Sequence, residues 1–402
     1  MISALGLLFL TGYLFSKLSQ LIKLPPIIGM ILAGVFLGEN GFGLLSESIL
    51  SISADLRKIA LILILLRVGI SLQLGELKTV GRSAICLSFL PAVCEIMGVV
   101  LLAPLFFSIT TVEALLLGSV LAAVSPAVVM PRMLFFMENG YGTKKAIPQM
   151  IMAGASLDDI FVLIVFASCL TLAQGERIEA HMIFLEITSS ILFGIVVGCI
   201  CGFLVTHYFS WQVKRKQPLS DAVKIILLLG VSFSLVSLET LLADVVAMSG
   251  LLAVVSMGMV LGKRLLDTEK LPLKQRLTEL WSGGEILLFT LVGAELQIAH
   301  IKEAGVVVVG FLFLILLFRT VGVVVSVTNT PLNLKEKAFC VVAYLPKATV
   351  QAAIGSVPLA MGLPVGELIF TISVMAIVVT APLGAIGMDL LYRKCLVREE
   401  GF

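Results

Sequence analysis

Charge is what this sequence has least of. Acidic and basic residues together fill 13% of its 402 positions, against about 25% in soluble domains. The 28 basic and 26 acidic side chains nearly cancel, at a formal +2, so no net positive field is available to hold nucleic acid. Histidine occurs at 181, 207 and 300 only, each at or near the end of an apolar run and none placed for an intramembrane proton relay. The seven cysteines show no C-x-x-C spacing and mostly lie inside apolar runs. They read as small core residues rather than a disulfide framework or a thiolate metal site. There is no phosphate-cradling glycine loop, no H-E-x-x-H and no nucleophile elbow, so ATP-driven pumping and hydrolysis find no support. The N-terminus lacks a basic region and a small-residue cleavage site, and reads as a first spanning helix rather than a removed signal.

What is present is apolar. Hydrophobic residues make up 59% of the chain and the mean hydropathy is +1.11, more than an aqueous fold can bury. An all-α, polytopic membrane protein is expected. Runs of about 20 apolar residues give thirteen segments, near 3–22, 25–38, 55–73, 82–106, 112–132, 146–172, 182–209, 220–239, 244–262, 275–297, 303–327, 335–359 and 364–391. The second is short and starts at Pro25-Pro26, where proline costs no helical hydrogen bond. With the N-terminus outside, twenty basic residues, Lys23, Lys78 and Arg132 among them, fall in cytoplasmic loops or the C-terminal tail. Only Arg57, Lys58, Arg177 and Lys302 fall opposite. This bias fixes the orientation and supports an odd count of crossings.

Against that background a few side chains stand out. Asp158 and Asp159 are adjacent in a run that is otherwise apolar for a membrane's width, where each acid costs about 2.5–3.5 kcal/mol to insert. Two buried structural acids, neutralised by bases, would be the plain explanation. An ion or proton site is the sharper one, because carboxylates suit small hard cations and two adjacent ones repel. Glu95 is a third deep acid, and Arg67, Arg319 and Lys347 are deep bases, so a paired network is expected. Glu285 and Glu295 lie in the tenth segment, Glu295 near its outer end.

Two segments are interrupted, at Ser125-Pro126 and at Pro346-Lys347-Ala-Thr349. A mid-span proline removes one backbone hydrogen bond and frees carbonyls, yet lone prolines kink many membrane helices without function. The placement is more informative than the residue. The breaks sit seven segments apart, an odd offset that reverses orientation, and the same offset pairs the fourth segment with the eleventh and the sixth with the thirteenth. Six plus one plus six (6+1+6) is the layout of an inverted repeat, and its two crossed broken helices are expected to mark a binding site. Lys347 is expected to offset the opposed helix dipoles there and to partner one of the two aspartates, while Glu95 and Arg319 bridge the repeats.

The strings Ala123-Val-Ser-Pro-Ala-Val-Val129, Gly154-Ala-Ser-Leu-Asp-Asp-Ile160 and Leu345-Pro-Lys-Ala-Thr-Val-Gln-Ala-Ala-Ile-Gly-Ser356 resemble the cation/proton antiporter superfamily. The branch they resemble holds the mammalian NHA-type sodium/proton exchangers and their bacterial relatives. Glu95 after Cys94, Arg319 in Leu-Phe-Arg-Thr and Asn333-Leu-Lys-Glu-Lys337 fit the same pattern. The resemblance implies an elevator-like Na⁺/H⁺ or Li⁺/H⁺ antiporter, a homodimer serving pH homeostasis from a bacterial inner membrane, with no cofactor and no ATP. Asp159 would bind the cation or proton, with Asp158 and Ser125 beside it. Lys347 and the Glu95–Arg319 pair would be intramembrane ion pairs, and Pro126, Pro346 and Thr349 would mark the breaks. Residues 1–80 would begin the dimerisation (scaffold) domain and the first repeat, and 81–180 would be half of the transport core. Residues 181–215 would be a connector helix, 216–300 the second scaffold half and 301–402 the second core half. Many double-aspartate relatives carry lysine where this chain has Arg319, and an arginine, protonated at any working pH, is not expected to carry a second proton.

Rival readings are a K⁺/H⁺ exchanger or an organic-anion symporter on a similar fold, an ion channel, and an intramembrane aspartyl enzyme. The enzyme fits poorly, because adjacent residues on a helix diverge by about 100 degrees and cannot share a proton as a catalytic pair does.

Overall fold

The computed structural model describes residues 1–22, 24–39, 41–71, 82–173, 180–242, 248–296 and 298–399. Only the backbone is described at 47, 71, 156, 160, 171, 180–188, 191, 240, 267–269 and 298–304. Lys23, Lys78 and Arg177 of the loop-charge reading lie outside these residues, as do the side chains of Lys302, His181 and His300.

The described residues are helical throughout, apart from turns and one isolated bridge. The helices are α1 (Ile2–Leu21), α2 (Pro26–Leu37), α3 (Ser53–Ser71), α4 (Arg82–Phe107), α5 (Thr111–Leu121), α6 (Pro126–Glu138), α7 (Ile147–Ala173) and α8 (Ala180–Lys214). They continue with α9 (Asp221–Leu241), α10 (Gly250–Arg264), α11 (Asp267–Ala294), α12 (Ile298–Ser326), α13 (Leu334–Ala343), α14 (Thr349–Ile354) and α15 (Gly366–Cys395). Among the described residues, eight helices are long and apolar enough to cross a membrane by length and composition, counting α5 and α6 as one.

Both interrupted segments start the same way. Thr110 accepts a hydrogen bond from the Glu113 amide at 3.3 Å while the Glu113 carboxylate accepts from the Thr110 amide at 2.8 Å. Asn333 and Glu336 repeat the exchange at 2.9 and 2.7 Å. Each capping box satisfies donors that a helix start leaves free. Each helix then stops, at Ala122–Ser125 and at Tyr344–Ala348, and a second half-helix starts at Pro126 or Thr349.

The chain divides into two compact units. The first gathers the described parts of Met1–Leu56, Gly75–Cys169 and Ile286–Phe402. Here α15 packs on the second break so closely that a Cβ on Gly384 would lie 2.3 Å from the Pro346 ring. The tail after α15 folds back onto the turn between α6 and α7. Gly142 donates to the Val397 carbonyl and Glu399 donates to the Gly140 carbonyl, both at 2.9 Å, and the Thr143 hydroxyl donates to the Glu399 carboxylate at 2.6 Å.

The second unit gathers Arg57–Leu74 and Leu170–Glu285 in their described parts. Its α8 and α10 meet at backbone distance: a Cβ on Gly198 would lie 2.2 Å from the Ala253 carbonyl. Small residues permit such an approach, which supplies the packing that membrane helices rely on. Arg67 and Glu285 belong to this unit and lie within electrostatic reach of each other. Arg67, expected from sequence among the paired deep charges, has Glu285 as an electrostatic neighbour within this unit.

Candidate functional site

The two breaks meet inside the first unit. The Ser125 amide donates to the Pro346 carbonyl at 2.8 Å, so one unwound strand of backbone caps the other. Freed carbonyls need donors once water is excluded, and buried side chains at and around the second break provide them. Lys347 Nζ donates to the Leu121 carbonyl at 2.5 Å, and Arg319 donates to the Ala122 carbonyl. Arg319 also donates through Nε to the Tyr344 carbonyl at 2.5 Å, so a single guanidinium reaches both breaks.

The charges are paired unevenly. Arg319 Nη1 lies 2.7 Å from Glu95 Oε2, and its Nη2 lies 3.3 Å from Asp158 Oδ2. Lys347 Nζ lies 2.6 Å from Glu95 Oε1. The ion pair of Lys347 is thus with Glu95 and not with either aspartate, a correction to the partner expected from sequence. The sequence placed three acids near this base; the fold delivers Glu95 from α4 while Asp158 turns to Arg319 and to the Val124 amide, 2.7 Å away. Arg319, Lys347, Glu95, Asp158 and Asp159 are all at least 97% buried.

Asp159 differs from the rest. Among the described residues it has no ion-pair partner, and its Oδ1 is buried without a hydrogen bond. Ser125 Oγ, Thr349 Oγ1 and Asp158 Oδ1 are buried and unpartnered too. Ser125 is the N-cap of α6, yet its side chain does not cap it. With both bases charged, three carboxylates face two cations, and Asp159 carries the surplus negative charge. Oxygen donors without protein partners are what a small hard cation requires.

Three groups were not singled out from the sequence. Thr380 accepts a hydrogen bond from the Lys347 amide at 2.9 Å. The Tyr344 ring lies 5.7 Å from the Arg319 guanidinium carbon. Gln351 donates to three carbonyls of the first break, as described below. The signal for Gln351 was its position one turn beyond a broken helix, in a run otherwise apolar.

A multi-pass helical membrane protein that gathers paired charges where two helices break is a transporter in design, not an enzyme. The chain belongs to the sodium/hydrogen exchanger family: the family described as "Sodium/hydrogen exchanger, transmembrane" matches residues 6–392. Sodium/hydrogen exchanger 9B2 of Mus musculus is 32% identical over 403 residues, covering 97% of this chain and 72% of the relative. Human sodium/hydrogen exchanger 9B1 is 31% identical over 414 residues, covering 98% and 78%. The solved structure of the sodium proton antiporter MjNhaP1 from Methanocaldococcus jannaschii at pH 8 superimposes with a TM-score of 0.83 at 20% identity, over 98% of each chain. That likeness establishes the fold.

Proposed function

We propose that this protein exchanges Na⁺ or Li⁺ for H⁺ across a membrane, with cation and proton competing for Asp159. The observation that carries the reading is the surplus charge. Of the five charges at the breaks, four are tied to one another, and Asp159, without an ion-pair partner among the described residues, is left for a guest. An empty, ionised Asp159 would be costly to carry through hydrocarbon. Only the cation-loaded and protonated forms then move between openings, and this couples the two fluxes. Ser125, Asp158 and Thr349 would complete the oxygen shell.

In this reading thirteen crossings form a 6+1+6 inverted repeat. The matching capping boxes at Thr110 and Asn333, each opening a helix that breaks some ten residues on, support it. The scaffold would comprise 1–80 and 216–300, the connector 181–215, and the moving core 81–180 and 301–402, which hold all five site charges. The protein would work as a homodimer in a bacterial plasma membrane, N-terminus outside and C-terminus cytoplasmic, by an elevator motion. The sodium/proton activity in the relatives' names supports the choice of ions.

The test is cation-driven proton efflux from proteoliposomes, read with Na⁺, Li⁺ and K⁺ in turn. Na⁺ or Li⁺ should dissipate the gradient and Asp159→Asn should abolish the signal while still folding. Exchange at normal rate by Asp159→Asn would remove that residue from the site, and a response to K⁺ alone would favour the potassium exchanger.

A further inference from the structure

Gln351 lies in α14, 1% exposed. Its Nε2 donates to the carbonyls of Val120, Leu121 and Ala123 at 3.2, 3.3 and 2.9 Å. These carbonyls form the C-terminal end of α5 and the start of its break, where no helical amide remains to meet them. Lys347 and Arg319 cover the carbonyls of Leu121 and Ala122 in addition. Four consecutive carbonyls, 120 to 123, are thus held entirely by side chains of the other broken helix and of α12. Of the three donors, Lys347 and Arg319 also bind carboxylates. Gln351 is the neutral one, and its Oε1 is buried with no partner.

We infer that Gln351 is a positioning residue for exchange. Its amide latches the negative end of α5 to α14, so that the two breaks keep one geometry and Asp158 keeps its hold on Val124. The carbonyl end of a half-helix carries about half a negative charge. Without the amide, only Lys347 and Arg319 would be left to serve that end, each of them also paired to carboxylates. The amide's hydrogen bonds go to carbonyls and none goes to Asp159, so the latch is expected to act on how fast the loaded core turns over rather than on how tightly it binds. The inference rests on the exchange reading for its kinetics and stands apart from it for its thermal signature.

Two variants separate a donor from a filler. Gln351→Met keeps the bulk and removes the amide. Gln351→Glu can donate only while its carboxyl is protonated; once ionised it sets a charge against three carbonyls. Exchange by Gln351→Met should fall about tenfold in maximal rate at every pH, the scale of one buried hydrogen bond lost, with KM for Na⁺ within about twofold of the parent. Gln351→Glu should approach the parent at pH 5.5 and fall away from it by pH 8.5. The melting temperature in detergent, compared with the parent at each pH, should follow the same pattern whether or not the protein exchanges ions. A Met variant that melts and turns over as the parent does overturns the inference, and so does a Glu variant no better than Met at acid pH. If the parent itself exchanges nothing, the exchange reading fails while the melting series still decides the latch.

Discussion

At the scale of single residues the site is an exercise in charge counting. Glu95 serves two bases at once, through Oε2 to Arg319 and Oε1 to Lys347. Glu95→Gln therefore strands Lys347 and loosens Arg319, and breaking a buried pair costs about 3–5 kcal/mol. Its melting temperature in detergent should drop by many degrees. Asp159→Asn should do the opposite, leaving melting unchanged or higher, because it removes an unpaired buried charge. A Glu95→Gln protein as stable as the parent would contradict the pairing. The charged members were legible in the sequence because each is expensive in an apolar run. The pairing was not: spacing along the chain does not say which of three acids meets Lys347, nor that Gln351 reaches carbonyls some 230 positions away.

At the scale of elements, both breaks were legible from Pro126 and Pro346, since proline withdraws a donor wherever it stands. Their contact could be inferred only through the matched offset, and its atoms not at all: the Ser125 amide meeting the Pro346 carbonyl is a product of tertiary packing. The support behind the second break was equally hidden. Gly384 looks like any glycine in a membrane helix, yet α15 can lie against Pro346 only because position 384 has no Cβ. Gly384→Val should overpack this contact, at about 1–3 kcal/mol, and lower both melting temperature and exchange rate. Unchanged values for both would show that α15 yields without disturbing the break. The short tail was also unreadable in advance: nothing in Val397-Arg-Glu399 signals pairing with Gly140–Gly142, because three residues carry too little pattern.

For the whole molecule, composition alone announced a membrane protein, and the helices follow the apolar segments because a bilayer allows few other ways to satisfy the backbone. The two compact units cut across simple sequence blocks: Arg57–Leu74 joins Leu170–Glu285 although Gly75–Cys169 of the first unit intervenes. Such long-range grouping leaves no local trace in the chain. Arg67 shows the consequence, since it shares its unit with Glu285, far away in the chain. The family match spans residues 6–392, which include every residue of the buried site.

The central claim is that one carboxylate hosts either a metal cation or a proton. Its most direct test is the KM for Na⁺ in proteoliposomes, measured with saturating Na⁺ series at successive pH values. Competition predicts that KM rises as pH falls, approaching about tenfold per pH unit on the acid side, while the maximal rate holds. A KM that stays level as pH changes, with only the maximal rate declining, would contradict a shared site at Asp159.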